Sequence, residues 1–211
     1  MNILLSRHGN TFAPEQKVVW TGGTYDIPLV DKGVEQAITL ATSLAKQGIV
    51  PNDIFCGSLR RTREYADIIA HELKLTKLPI IDERLNEIDY GDWTGLSSEE
   101  VETKYGGTEL YRWDSHSEWP MKAHWGGSEQ EEIDNISSFV SEVISNYAEN
   151  DTVLIISSNG KLRYFLKLVP GEFERRVRNQ TFKVKTGNIC KLVYQEERFI
   201  LKFWNKSPEK I

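Results

Sequence analysis

Short unbroken apolar runs alternate along the chain with longer stretches in which apolar residues return every third or fourth position. The run Ile3 to Leu5 ends at Ser6-Arg7-His8-Gly9, which predicts a buried strand that delivers polar residues at its carboxyl end. Asp31 is a candidate N-cap, and Ile38, Ala41, Leu44 and Ala45 keep helical spacing until Gly48. A strand from Asp53 to Cys56 follows, then Gly57-Ser58, and a helix from Leu59 through Ala66, Ile69 and Ala70 to Leu73. A strand near Leu78 to Ile81 leads into Arg84 to Trp93, a loop packed by its aromatic residues. Ser128 with Glu131 forms a capping pattern ahead of a helix carrying Ile133, Ile136, Phe139, Val140, Val143 and Tyr147. The buried run Thr152 to Ser157, a turn at Ser158-Asn159-Gly160 and a helix from Lys161 to Leu168 come next. Strand-like runs around Thr186 to Tyr194 and Phe199 to Trp204 close the chain.

This alternation predicts an α/β fold, a three-layer sandwich with a mainly parallel central sheet and helices on both faces. Nothing in it marks a place to divide residues 1–211, so one domain is expected. The rhythm breaks only at Ser97 to Gly127, where a short capped helix is followed by Trp113, His116, Trp119, Pro120, His124 and Trp125 among polar residues. That segment reads as an insertion over the site, at about 97–127.

Composition narrows the partners. The 211 residues, 39% of them hydrophobic, suffice for one substantial core. A formal net charge of -5 provides no field to gather nucleic acid or an anionic membrane, so an anionic substrate must be met by local charge. Cys56 and Cys190 both lie in apolar runs, which points to buried thiols in a reducing compartment rather than to a disulfide. The start is too short and too soon charged for a signal peptide, no run is long enough for a membrane span, and a cytoplasmic location is expected.

The sharpest chemical signal is Arg7-His8-Gly9 after the first strand. An imidazole beside a guanidinium suits attack on phosphorus, and glycine lets a substrate approach the backbone. Arg61, in the first turn of the second helix, and Glu87, in the aromatic loop, are placed to converge on the same crevice at the carboxyl ends of the strands. Basic residues at a helix N-terminus oppose its dipole, which favours a role in holding an anion.

These segments resemble the histidine phosphatase (phosphoglycerate mutase-like) superfamily. The matching stretches are Leu4 to Thr11, with Asn10 where Glu is commoner, and Trp20-Thr21-Gly22 through Asp26-Ile27-Pro28-Leu29 and Lys32-Gly33. They continue with Leu59-Arg60-Arg61-Thr62, Leu85-Asn86-Glu87, Gly91 to Gly95, Thr186-Gly187-Asn188 and Trp204-Asn205. The resemblance implies hydrolysis of small phosphomonoesters in two steps. His8 would be the nucleophile and Glu87 the acid and then the base. Arg7 and Arg61 would bind phosphate, with Asn10, Thr21 and Gly22 on the substrate side. It implies no metal and no other cofactor, and it is compatible with a homodimer.

There is one departure. Where the family places a second histidine, this chain has Ser158-Asn159-Gly160. Serine donates one hydrogen bond and carries no charge, so Ser158 and Asn159 are the expected phosphate ligands there, with His116 and His124 as further candidates to compensate. A phosphoglycerate mutase-type phosphotransferase and a catalytically degenerate phospholigand-binding protein remain as alternatives.

Overall fold

A computed structural model describes residues 1–211. Six strands form one sheet in the order β3-β2-β4-β1-β5-β6. They are β1 (Asn2–Arg7), β2 (Asp53–Cys56), β3 (Ile80–Ile81), β4 (Thr152–Ser157), β5 (Ile189–Gln195) and β6 (Arg198–Lys206). The pairs β1–β4, β2–β4 and β2–β3 are parallel, and β5 and β6 add an antiparallel ribbon beside β1. Helices α1 (Asp31–Lys46) and α2 (Arg60–Glu72) precede the acid-bearing loop. The others are α3 (Ser98–Tyr105), α4 (Gly107–His116), α5 (Glu129–Asn146), α6 (Asn159–Leu162) and α7 (Glu172–Arg178).

Strand periodicity sorts side chains into two cores. Leu4, Ile54, Cys56, Leu154 and Ile156 point to the face covered by α1 and α2. Their sequence neighbours Ile3, Leu5, Phe55, Val153 and Ile155 join Ile136, Phe139, Val140 and Val143 of α5 on the other face. Both cysteines are buried and free, as expected. No helix is long and apolar enough to cross a membrane.

The local differences from expectation have physical causes. Val30 caps α1 with extended backbone and no side-chain bond, so Asp31 is the first helical residue, where its charge still suits the dipole. The third strand shrinks to two residues, and Leu78 stays largely exposed. Asn159 and Gly160 are already helical, with Ser158 at the N-cap position, so the expected turn is the first turn of α6. The segment Ser97 to Gly127 holds two helices rather than one: Ser97 and Glu100 close a reciprocal capping box on α3, and α4 starts after Gly106 at positive φ. Trp113 is buried and meets Trp125 and Trp119 edge to face, so the tryptophans pack inward and cover the second core.

Phe139 anchors that core, 1% exposed and edge-on to Phe55 at 5.4 Å. Phe139→Ala is expected to lose about 3–5 kcal/mol of stability, measured as a lower urea midpoint at unchanged slope.

Candidate active site

The site is built by the register of two parallel strands. Arg7 pairs with Ser157, so His8 and Ser158 leave the sheet side by side, and the His8 N–H donates to the Ser157 carbonyl at 3.1 Å. This crevice lies between a parallel and an antiparallel neighbour of β1, at the carboxyl ends of the parallel strands.

His8 is 5% exposed, and its Nδ1 lies 2.8 Å from the Gly9 carbonyl oxygen. A carbonyl can only accept, so Nδ1 carries the proton and Nε2 presents a lone pair. Burial, then the charges of Arg61 and Arg7, hold the imidazole well below its usual pKa, against the smaller pull of the Gly9 bond. Gly9 is required here because a side chain would collide with the backbone of Gly33 in α1.

Arg7 and Arg61 act on this imidazole and Arg163 on Arg7, and the hydrogen-bond partners of all three guanidinium groups are neutral. Arg7 Nη1 donates to Val184 O at 2.9 Å. Arg61, 1% exposed, donates to Tyr25 O at 3.1 Å and Gly22 O at 2.7 Å. Arg163, 2% exposed, lies over the rings of Trp113 and Phe182 and donates to Ser117 Oγ at 3.0 Å. The Nε of each is buried without a partner, and so is Ser158 Oγ. Burial lowers the pKa of all three arginines, and Glu87 opposes this in each case. Guanidinium nevertheless remains charged, so the cluster is a cationic cradle.

Glu87 forms the opposite wall. Its Oε2 accepts from Gly160 N at 3.1 Å, and its Oε1 accepts from Lys161 N at 3.1 Å and Ile88 N at 3.0 Å. The loop that carries it is pinned on both sides: Ser157 Oγ donates to Leu85 O, and Asn86 Oδ1 accepts from Ser58 N. A side chain at Gly160 would fall on Glu87 Oε1 and the Tyr90 hydroxyl, so these two groups lie together over the first turn of α6. Burial, then Glu87, push the Tyr90 phenol well above its usual range, which keeps it an O–H donor.

The remaining candidates divide. Asn159 Oδ1 accepts from Val184 N at 2.8 Å, so its amide donors face the other way. Asn10 is a brace: its Oδ1 accepts from Thr186 Oγ1 at 2.5 Å and its N–H donates to Gln36. The Gly22 carbonyl is spent on Arg61, and the Thr21 carbonyl accepts from Tyr25 N, so this segment shapes the cradle through its backbone. His116 and His124 do not turn inward. His124 is 86% exposed and paired with Asp92, and His116 lies edge-on to the exposed Tyr111. Tyr90 and Arg163 were not anticipated. An arginine inside the apolar run Leu162 to Leu168 was the available signal for Arg163.

A sequence model described as the histidine phosphatase superfamily (branch 1) matches residues 3–207. A 2,3-bisphosphoglycerate-dependent phosphoglycerate mutase of Methylobacterium radiotolerans is 25% identical over 195 residues, covering 92% of this chain and 88% of that protein. Among solved structures, a mycobacterial glucosyl-3-phosphoglycerate phosphatase superposes with a TM-score of 0.79 at 22% identity, covering 98% of this chain and 99% of the other. A putative alpha-ribazole-5'-P phosphatase from Escherichia coli gives 0.74 at 23% identity, covering 98% and 96%.

Two outcomes are expected. In an NMR titration of the free protein the His8 ring should stay neutral through pH 6.5, the ordinary midpoint, because its pKa is depressed; a midpoint at or above that value would contradict the electrostatic account. Gly160→Ala should lower kcat by about 10²-fold in a folded protein by displacing Glu87 and Tyr90, checked by steady-state turnover alongside circular dichroism.

Proposed function

The chain belongs to branch 1 of the histidine phosphatase superfamily, and on that premise we propose that it hydrolyses small phosphomonoesters through a phosphohistidine at His8. One observation carries the reading: Arg7 Nε, Arg61 Nε and Ser158 Oγ are buried and unpartnered around a histidine whose Nε2 is free to attack. In the first step Nε2 forms a bond to phosphorus, the ester P–O bond breaks, and the leaving oxygen takes a proton from Glu87. In the second step water attacks the phosphohistidine, Glu87 takes its proton, and the P–N electron pair returns to Nε2. Arg7 and Arg61 neutralise the equatorial oxygens throughout, which is charge stabilisation by preorganised donors. Asn159, with its carbonyl oxygen held by Val184, offers its amide as a further phosphate donor beside Ser158.

A second reading is supported by the curated relatives, several of which are named 2,3-bisphosphoglycerate-dependent phosphoglycerate mutases. A mutase must keep the phosphoryl group on His8 and return it to the substrate, whereas a hydrolase must admit water. In the hydrolase reading the segment 97–127 covers the core beside the site, and its neutral Ser117 holds Arg163.

The test is a panel of phosphomonoesters that includes 3-phosphoglycerate. Free phosphate without isomerised product is expected. Isomer without phosphate would establish the mutase, and tight binding without turnover the degenerate binding protein. Ser158→His should speed phosphoenzyme formation by about 10²- to 10³-fold, since it adds a longer-reaching imidazole N–H donor to the cradle; an unchanged rate would mean that the serine already suffices.

A further inference from the structure

The peptide unit between Gly9 and Asn10 makes two hydrogen bonds that run in opposite directions. Its carbonyl accepts from His8 Nδ1 at 2.8 Å, and its N–H donates to Oε1 of Gln36 in α1 at 2.8 Å. In a planar trans peptide the C=O and N–H point opposite ways, so a grip on the N–H fixes the direction of the carbonyl. Side chain, peptide and imidazole thus form one chain of hydrogen bonds in which each polarises the next.

Gln36 is itself fixed. Its Nε2 donates to the Thr186 carbonyl at 3.1 Å. The Asn10 N–H can only donate and the Thr186 carbonyl can only accept, so the amide has one orientation. Gln36 stands one helical turn after Gly33, where a side chain would collide with the Asn10 backbone, so the Gly9–Asn10 unit lies directly on this face of α1. On the other side, a Cβ at Gly187 would lie 3.0 Å from Gln36 Cβ, which leaves the glutamine little room to turn. The neighbouring carbonyls of the loop are held by backbone alone. Those of Arg7 and His8 accept from Gly187 N at 3.1 and 3.3 Å, and that of Asn10 accepts from Val30 N at 3.0 Å. The Asn10 N–H is met instead by a side chain, so a single substitution removes its partner.

We propose that Gln36 is a positioning residue for His8: through the Gly9–Asn10 peptide it holds the ring proton on Nδ1 and leaves Nε2 with the free lone pair. The tautomer of a histidine is set by the hydrogen bond that one ring nitrogen makes. Without the Gln36 acceptor the peptide can rotate, its carbonyl leaves Nδ1, and the form protonated on Nε2, which cannot attack, gains population. The catalytic consequence rests on His8 being the nucleophile of the proposed hydrolysis; the tautomer does not.

The experiment has two readouts. Proton–nitrogen correlation spectra of the substrate-free protein with isotope-labelled histidine show which nitrogen of the neutral His8 ring carries the proton, and rapid quench with a small aryl phosphate gives the rate of phosphoenzyme formation. The wild type should carry the proton on Nδ1. Gln36→Leu should shift it towards Nε2 and slow phosphoenzyme formation by about 10²-fold, while inorganic phosphate still binds because Arg7, Arg61 and Ser158 are untouched. Gln36→Glu keeps an acceptor for the Asn10 N–H and should keep the proton on Nδ1. So should Thr186→Val, which removes a hydroxyl of the same network but leaves that acceptor in place. A wild type protonated on Nε2, a folded Gln36→Leu protein with the proton still on Nδ1 or with an undiminished rate, or an equal shift in Thr186→Val would overturn the proposal. A wild type that forms no phosphoenzyme while its tautomer responds to Gln36 as expected would overturn the hydrolase reading and support the hold of Gln36 on His8.

Discussion

Arg7 and Arg61 act on one imidazole, with Arg163 acting on Arg7 and no ion-paired carboxylate on any of the three, and the rest of the structure is arranged around that imbalance. Their partners are the carbonyls of Val184, Tyr25 and Gly22 and the hydroxyl of Ser117, groups that aim a guanidinium without neutralising it. Like charges in a poorly solvated site repel, and they are tolerable where an anion is to be bound. Burial first, then the charges of Arg61 and Arg7, keeps His8 unprotonated, so in the proposed hydrolysis one arrangement both attracts a phosphoryl group and leaves His8 ready to attack it.

Holding such a cluster requires rigid neighbours. The β1–β4 register sets His8 beside Ser158, Ser157 ties down the acid-bearing loop, and the first turn of α6 grips Glu87 from below. The close approach of Gly9 to Gly33 fastens the backbone beside His8 to α1. Each contact is local and ordinary; together they leave His8, Glu87 and the arginines little freedom to relax away from one another.

Much of this was legible in the sequence. The unbroken apolar runs Ile3 to Leu5 and Thr152 to Ser157 predict strands covered on both faces, which the structure resolves into two cores rather than the one expected, and the Ser97/Glu100 and Ser128/Glu131 patterns mark real helix starts. Arg7, His8, Arg61 and Glu87 could be read because each sits just beyond a strand, at a helix start or in a distinctive loop. What escaped depended on contacts distant in sequence. Tyr90 reads as packing in the sequence, and only Gly160 brings it beside Glu87; the burial of Lys161 against Glu132 depends on α5, distant in sequence. The histidines of the 97–127 segment lay outside because its tryptophans took the inward positions. The absence of an imidazole at Ser158, plain in the sequence, gains its meaning only from the orphaned hydroxyl and the fixed amide of Asn159 beside it.

The central claim is that the guanidinium cluster serves a neutral His8 that becomes phosphorylated. Its most direct measurement is rapid quench of the wild type and His8→Ala with a phosphomonoester, followed by assay for acid-labile, base-stable phosphate on the protein. The account predicts a burst of such phosphate in the wild type and none in His8→Ala. Turnover without protein-bound phosphate, or labelling that persists in His8→Ala, would contradict it.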